Sequence, residues 1–139
     1  MYRGMDIRAA TKDDLPAIRS LSATTPWNKG AFLDRQVSLG NVYVATEQDE
    51  VRGFIAWNHD FFEKPFVWLI VVGKPHRKRG IAKRLFESVK KRCATDHLYT
   101  STNRSNAVMA ALLQHLGFER VGEIDLDPGD PEVFYRSAS

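Results

Sequence analysis

Cysteine is nearly absent: Cys93 is the only one in 139 residues. An intramolecular disulfide is therefore impossible, and a cysteine-based zinc site, with a single cysteine to draw on, is not expected. The four histidines, His59, His76, His97 and His115, show no metal-binding spacing, so no metal is expected. No run of 18 apolar residues exists to cross a membrane as a helix. Residues 1–6 also lack the apolar stretch of a secretory signal, so a cytoplasmic protein with no membrane partner is the expectation. No internal repeat, low-complexity tract or linker interrupts the chain, so a single domain over 1–139 is expected. What is present is globular in kind, with 43% hydrophobic and 27% charged residues. A chain of this length can bury roughly two thirds of the surface exposed by its unfolded form.

Charge is spread unevenly. Lysine plus arginine outnumber aspartate plus glutamate by 20 to 17, a net of +3. Residues 74–92 alone hold nine bases against one acid, Glu87, whereas residues 119–132 hold six acids against one base, Arg120. The first stretch calls for an anionic partner, and the second suits a cationic one.

Apolar periodicity outlines the elements. Met5–Ala9 reads as a short strand, and Thr11 as an N-cap with Asp13 and Asp14 in the first helical turn. Leu15, Ile18 and Leu21 stripe a helix that Pro26 ends, and Lys29–Leu39 reads as a second helix. Val42–Ala45 and Val51–Trp57 flank a turn at Gln48–Glu50 and predict a hairpin. Phe66–Val72 is apolar throughout, which predicts a central strand buried on both sides, with Trp68 in the core. Ile81, Leu85, Val89 and Cys93 stripe a helix. A strand at Leu98–Thr102 and a helix at Asn106–Leu116, stopped by Gly117, come next. Strands at Phe118–Leu126 and Val133–Tyr135 flank Asp127-Pro128-Gly129-Asp130-Pro131. The order βααβββ-α-β-α-ββ defines a mixed α/β domain.

The segment Val71-Val72-Gly73-Lys74-Pro75-His76-Arg77-Lys78-Arg79-Gly80-Ile81-Ala82 carries the chemistry. A buried strand runs into a basic turn, and the turn opens a helix. The first N–H groups of that helix lack intrahelical partners, and its dipole places about half a positive charge there. Gly80 and the small Ala82 let a ligand approach the backbone, and Arg77, Lys78 and Arg79 add full charges. These are the requirements for holding a pyrophosphate. Neither G-x-G-x-x-G nor G-x-x-x-x-G-K-[ST] occurs.

Arg77-Lys78-Arg79-Gly80-Ile81-Ala82 resembles the [Q/R]-x-x-G-x-[G/A] element of the GNAT N-acetyltransferases. Asn106 opening a helix that ends in Leu116-Gly117-Phe118 resembles the family's second signature, and element order and length agree over nearly the whole chain. The resemblance implies a GNAT-type acyl-CoA N-acyltransferase fold. Its mixed central sheet would have about seven strands and about four flanking helices, splayed between the strands at 66–72 and 98–102. It implies acetyl-CoA as donor, with the pyrophosphate on the amides of Arg77, Lys78, Arg79, Gly80, Ile81 and Ala82. The pantetheine arm would pair with the backbone of Ile70, Val71 and Val72, and Asn106 would bind beside it. A primary amine of a small molecule or peptide would attack the thioester directly, with the Val72 N–H as oxyanion donor. Pairing into a homodimer is common in the family.

The family pattern also has gaps here. A lysine-like amine with pKa ~10.4 is only about 1 part in 2,500 unprotonated at pH 7, so a base or water chain helps. A thiolate leaving group gains from an acid. Many members carry an acidic Tyr seven residues after the helix-opening Asn, where this chain has Leu113. Pro26-Trp27-Asn28 through Phe32 resembles the ribosomal-protein N-terminal alanine acetyltransferases, which place a Glu five residues before that Asn; here it is Ser101. Tyr99 and Tyr135 are the substitute acids, and Glu63 and Glu123 the substitute bases. Trp27 is the candidate substrate contact, and Cys93 a packing residue on the apolar helix face. Two other readings stay open: a catalytically silent CoA-binding sensor of the same fold, and a nucleic-acid module using the basic helix. Against the second stand the modest total charge and the lack of interleaved aromatics, so no nucleic acid is expected.

Overall fold

A computed structural model describes residues 4–26, 29–93 and 96–138. The elements are β1 (Met5–Ala9), α1 (Leu15–Ser22), α2 (Gly30–Ser38), β2 (Val42–Glu47), β3 (Glu50–Phe61), β4 (Lys64–Val72), α3 (Ile81–Arg92), β5 (Tyr99–Asn103), α4 (Ala107–His115), β6 (Glu119–Ile124) and β7 (Glu132–Arg136). Seven strands form one sheet in the order β1-β2-β3-β4-β5-β7-β6. β1 with β2, β2 with β3, β5 with β7 and β6 with β7 are antiparallel, while β4 and β5 are parallel. Contacts gather into two compact units, residues 1–57 with 69–89 and residues 58–68 with 90–139.

In the first unit, α1 and α2 bury apolar residues against alternate positions of the sheet. Ile18, Leu33 and Val37 join Val42, Val44, Phe54, Ala56 and Val71 in one core. The entry to α1 is tied by a carboxylate. Asp14, at 7% exposure, accepts the Thr11 N–H at 2.8 Å and two bonds from the Arg8 guanidinium at 2.7 and 2.9 Å. This fixes the turn in which α1 begins. Hairpins β2–β3 and β3–β4 each close through two residues with positive φ, Gln48 (54°) with Asp49 (63°) and Phe62 (51°) with Glu63 (63°). Paired left-handed residues are the turn geometry that matches strand twist. The sequence contains no Asn-Gly signal at Phe62-Glu63, so β3 runs four residues beyond the predicted Trp57.

In the second unit, β5 lies between β4 and β7. The ladder of β4 with β5 runs through Phe66–Tyr99 and Val67–Thr100, and β4 continues to Val72. The buried Thr100 hydroxyl donates to the Val67 carbonyl at 3.0 Å and cross-links the pair. α4 is capped by Asn106, whose side-chain oxygen accepts the Met109 N–H at 3.1 Å.

The expectation of a strand buried on both sides fails in the second half of β4. Phe66 and Val67 are buried, but Trp68 is 43% exposed, and Leu69, Ile70 and Val72 are half-exposed. Trp68 is therefore not a core residue. Its indole N–H donates to Asn58 Oδ1 at 2.6 Å, and one side of its ring meets Phe66 at a centroid distance of 4.5 Å. Unbroken hydrophobicity in sequence does not reveal which face of a strand the fold leaves open.

Candidate functional site

β4 ends in a turn with an unusual backbone. Lys74–His76 forms one turn of 3₁₀ helix, Arg77 is extended, and Lys78 (φ 63°) and Gly80 (φ 82°) take left-handed conformations on either side of Arg79. For lysine that conformation costs about 1–2 kcal/mol. The Arg84 amide bonds back to the Gly80 carbonyl at 3.1 Å, which sets the first i to i−4 bond of α3. The amides of Ile81, Ala82 and Lys83 therefore begin α3 with no carbonyl of the helix to bond. Successive N–H groups along such a turn form a concavity suited to anionic oxygens.

The basic side chains of this turn are arranged differently from a uniform positive fringe. Arg77 Nε donates to the Val72 carbonyl at 3.0 Å and braces the strand exit. Arg79 reaches Glu47 at 2.6 and 3.3 Å. The hydrogen bond and charge of Arg79, with the charge of Arg52, hold the Glu47 carboxyl below the usual carboxylate range. His76 lies between two guanidinium groups, 3.3 Å from Arg52 Nη1 and 3.2 Å from Arg79 Nη1. A neutral imidazole can accept at only one nitrogen, so only one of these contacts is a hydrogen bond in any tautomer. Arg52, His76, Arg79 and Glu47 thus fasten the turn to the β2–β3 hairpin. Lys78 is exposed, with no polar partner among the described residues.

The strand preceding the turn is backed closely. A Cβ at Gly53 would stand 2.9 Å from the Val71 carbonyl oxygen and 3.3 Å from Val72 Cα, closer than side-chain carbons sit. The absence of a side chain at residue 53 lets β3 approach the Val71–Val72 backbone. The Gly73 N–H continues the contact, donating to the Arg52 carbonyl at 2.8 Å.

The candidate acids and bases do not gather at one point. Tyr99 and Tyr135 lie on opposite faces of the sheet. Tyr99 shares its face with Phe61 and hydrogen-bonds with the Arg136 side chain, while Tyr135 pairs with buried Thr100 and is itself only 5% exposed. Glu123 is held by Arg120 at 2.8 Å and Arg104 at 3.5 Å, so its carboxylate is committed to ion pairs. Glu63 occupies the β3–β4 turn. It lines an open cavity of about 160 Å³ with Lys64, Pro65, Asp96, His97 and Tyr99, at the end of β4 opposite the basic turn. Leu113 is fully buried in α4 and has no acidic proton to donate. Trp27 lies outside the described residues. Cys93 is buried, and burial pushes its thiol pKa upward.

Ser101 does have a carboxylate beside it, from another strand. Its hydroxyl donates to Glu132 Oε2 at 2.7 Å. The β5–β7 register places Ser101 opposite Phe134 and Asn103 opposite Glu132, so the contact is diagonal across one face. Glu132 has no local signal in the sequence, because the contact joins residues 31 positions apart on different strands. An acidic residue alternating with the apolar Phe134 on a final strand was the only hint. Among the described residues, no group of three or more His, Cys, Asp and Glu side chains is placed to hold a metal ion.

The model of the Acetyltransferase (GNAT) family matches residues 7–118. Among solved structures, a GNAT-family acetyltransferase from Bacillus cereus is 27% identical, with 97% of each chain covered and a TM-score of 0.89. Arabidopsis thaliana Naa50, in complex with the bisubstrate analogue CoA-Ac-MVNAL, is 18% identical over 97% of this chain and 99% of its own, with a TM-score of 0.79. Ard1 from Thermoplasma volcanium is 16% identical over 98% of this chain and 99% of its own, with a TM-score of 0.82. No curated protein matches the sequence.

Proposed function

Since the chain belongs to the GNAT acetyltransferase family, we propose that it transfers an acetyl group from acetyl-CoA to a primary amine. The observation that carries this reading is the turn at 77–82, where left-handed Lys78 and Gly80 precede three helix-opening amides with no intrahelical partner. That arrangement fits a pyrophosphate without demanding any side-chain contact, and Lys78 remains available to add a full charge. A substrate on this turn would extend along the backbone of Ile70, Val71 and Val72, whose side chains are half-exposed at Ile70 and Val72. Acetyl-CoA supplies an acyl group already activated as a thioester. The chain's part is then to orient it, and the Val72 N–H is the donor assigned to the carbonyl oxygen. The braces on this strand exit, Arg77 on the Val72 carbonyl and Gly53 against Val71, keep that donor in place. The solved structure of Arabidopsis thaliana Naa50 with the bisubstrate analogue CoA-Ac-MVNAL supports the same donor.

Calorimetry with CoA and thiol release from acetyl-CoA in the presence of an amine panel test the reading separately. The expected outcome is CoA binding with amine-dependent thiol release. CoA failing to bind at millimolar concentration would overturn the donor assignment. Binding without release to any amine would favour the silent sensor, a reading that Leu113 and Ser101 keep specific.

A further inference from the structure

We propose that the face of the sheet around Glu132 holds the acceptor, and that it selects a primary ammonium bearing an apolar or aromatic substituent. The inference rests on the acetyl-transfer reading above and names the substrate class for it.

The first ground is a carboxylate without a counter-charge. Asp14, Asp34 and Glu47, the other half-buried or buried carboxylates of the first unit, each face an arginine at 2.7, 2.5 and 2.6 Å respectively. Asp130 in the second unit takes two donors from Ser105, at 2.7 and 3.0 Å. Glu132 is half-buried and takes one hydroxyl, that of Ser101. No lysine or arginine among the described residues pairs with it. A carboxylate partly withdrawn from water calls for a cation, and the described residues supply none.

The second ground is the floor beside it. Residues 132 and 134 of β7 and 99 and 101 of β5 alternate onto one face. On that face, Phe134 stacks on Phe61 with ring centroids 5.7 Å apart. Phe61 meets Phe66 at 4.5 Å, and Phe66 meets Trp68 at 4.5 Å. Trp68 is 43% exposed and Phe134 half-buried, so the aromatic surface is open at both. Aromatic faces attract an ammonium and cover the carbon chain attached to it. An isolated aromatic patch would fit many apolar partners. A carboxylate at its edge restricts the choice to a cation with an apolar body.

The third ground is position. Ser101 is the central residue of β5, which is parallel to β4, and Glu132 on β7 lies opposite Asn103, the last residue of β5. Ligands of parallel strands approach at their carboxyl ends. The Tyr99–Arg136 pair occupies the other end of β5, where a positive charge would repel the same ligand.

Calorimetry on the CoA-saturated protein tests this without requiring turnover. The probes are 2-phenylethylamine, its neutral isostere 2-phenylethanol, n-propylamine, and the tripeptide Phe-Gly-Gly. 2-Phenylethylamine or Phe-Gly-Gly should bind at least tenfold more tightly than the alcohol and n-propylamine. Whichever binds better identifies a free arylalkylamine or a peptide N-terminus as the source of the ammonium. Glu132→Gln should weaken that binding at least tenfold and leave CoA affinity within twofold, and Trp68→Leu should abolish the advantage over n-propylamine. Ser101→Ala, which retains the carboxylate, should weaken binding less than Glu132→Gln. Equal binding of amine and alcohol, or undiminished amine binding by a folded Glu132→Gln protein, overturns the proposal. Failure of CoA to bind the wild-type chain instead removes the donor assignment, and amine binding is then read without CoA.

Discussion

Substituting Gly53 by alanine is the sharpest test of how the strand exit is supported. The added methyl group would need to stand 2.9 Å from the Val71 carbonyl oxygen, 3.3 Å from Val72 Cα and 3.4 Å from Val72 Cγ2. Two of these three neighbours are backbone atoms, so no side-chain rotation relieves them. To reach ordinary van der Waals separation, the strands must part by about half an ångström or more, in a region packed to crystal-like density. Overpacking of this kind costs about 1–3 kcal/mol. For a chain of this size, that lowers Tm by roughly 3–10 °C. The Val71–Val72 backbone is also the segment assigned to the donor substrate, so CoA affinity should fall several-fold at a temperature where the variant remains folded. Gly122→Ala is the matched control. A Cβ there has nothing within 4 Å and the residue lies on the exposed β6, so stability and CoA binding should both hold. Urea denaturation and calorimetry on the pair give the result. A Gly53→Ala protein as stable as wild type with unchanged CoA affinity would refute the claim that this close approach positions the site.

Asn106→Ala should cost about 1 kcal/mol through loss of the Met109 cap. Asn106→Ser should restore that stability in a denaturant melt while CoA affinity stays reduced, which separates capping from a cofactor contact. Asp14 is held below its ordinary pKa chiefly by the hydrogen bond from Arg8, with the Thr11 N–H assisting. A depressed carboxyl contributes stability that is fully present above the unfolded value near pKa ~3.9 and is lost as pH falls through the lower folded value. Asp14→Asn should therefore flatten the acid limb of a stability–pH curve and cost about 1–2 kcal/mol at pH 7. The buried Cys93 thiol, with its pKa raised by burial, should react slowly with a thiol reagent in the native protein and rapidly in guanidinium. Equal rates in both would contradict its placement under α3.

The legible parts of this chain were those governed by short-range physics. Met5–Ala9 is a strand over the residues its pattern marks, and Ile81, Leu85 and Val89 are the buried stripe of α3. Basic residues around Gly80, placed between a strand and an amphipathic helix, located the turn because helix-opening amides follow from geometry alone. Elsewhere the outcome depended on partners distant in sequence. The exposure of Trp68 follows from what covers β4, not from its neighbours in the chain. The Ser101–Glu132 contact depends on the β5–β7 register. The pairing of Arg79 depends on Glu47, 32 residues earlier. The Phe62-Glu63 turn was missed because it takes left-handed backbone without the residues that usually signal it.

β6 is one of the two edge strands, and all six of its residues are exposed. Val121 and Ile124 on it, and Leu126 just beyond, are 43, 50 and 62% exposed. An unpaired border with greasy side chains is an invitation to fibrillar self-association. Glu119 and Glu123 are held in ion pairs with arginines, but Asp125 and Asp127 keep negative charge beside this border, so identical borders repel one another. Replacing Asp125 and Asp127 by asparagine strips away that gatekeeping. Such a variant therefore courts precipitation from a native-like state, quite apart from any loss of its fold.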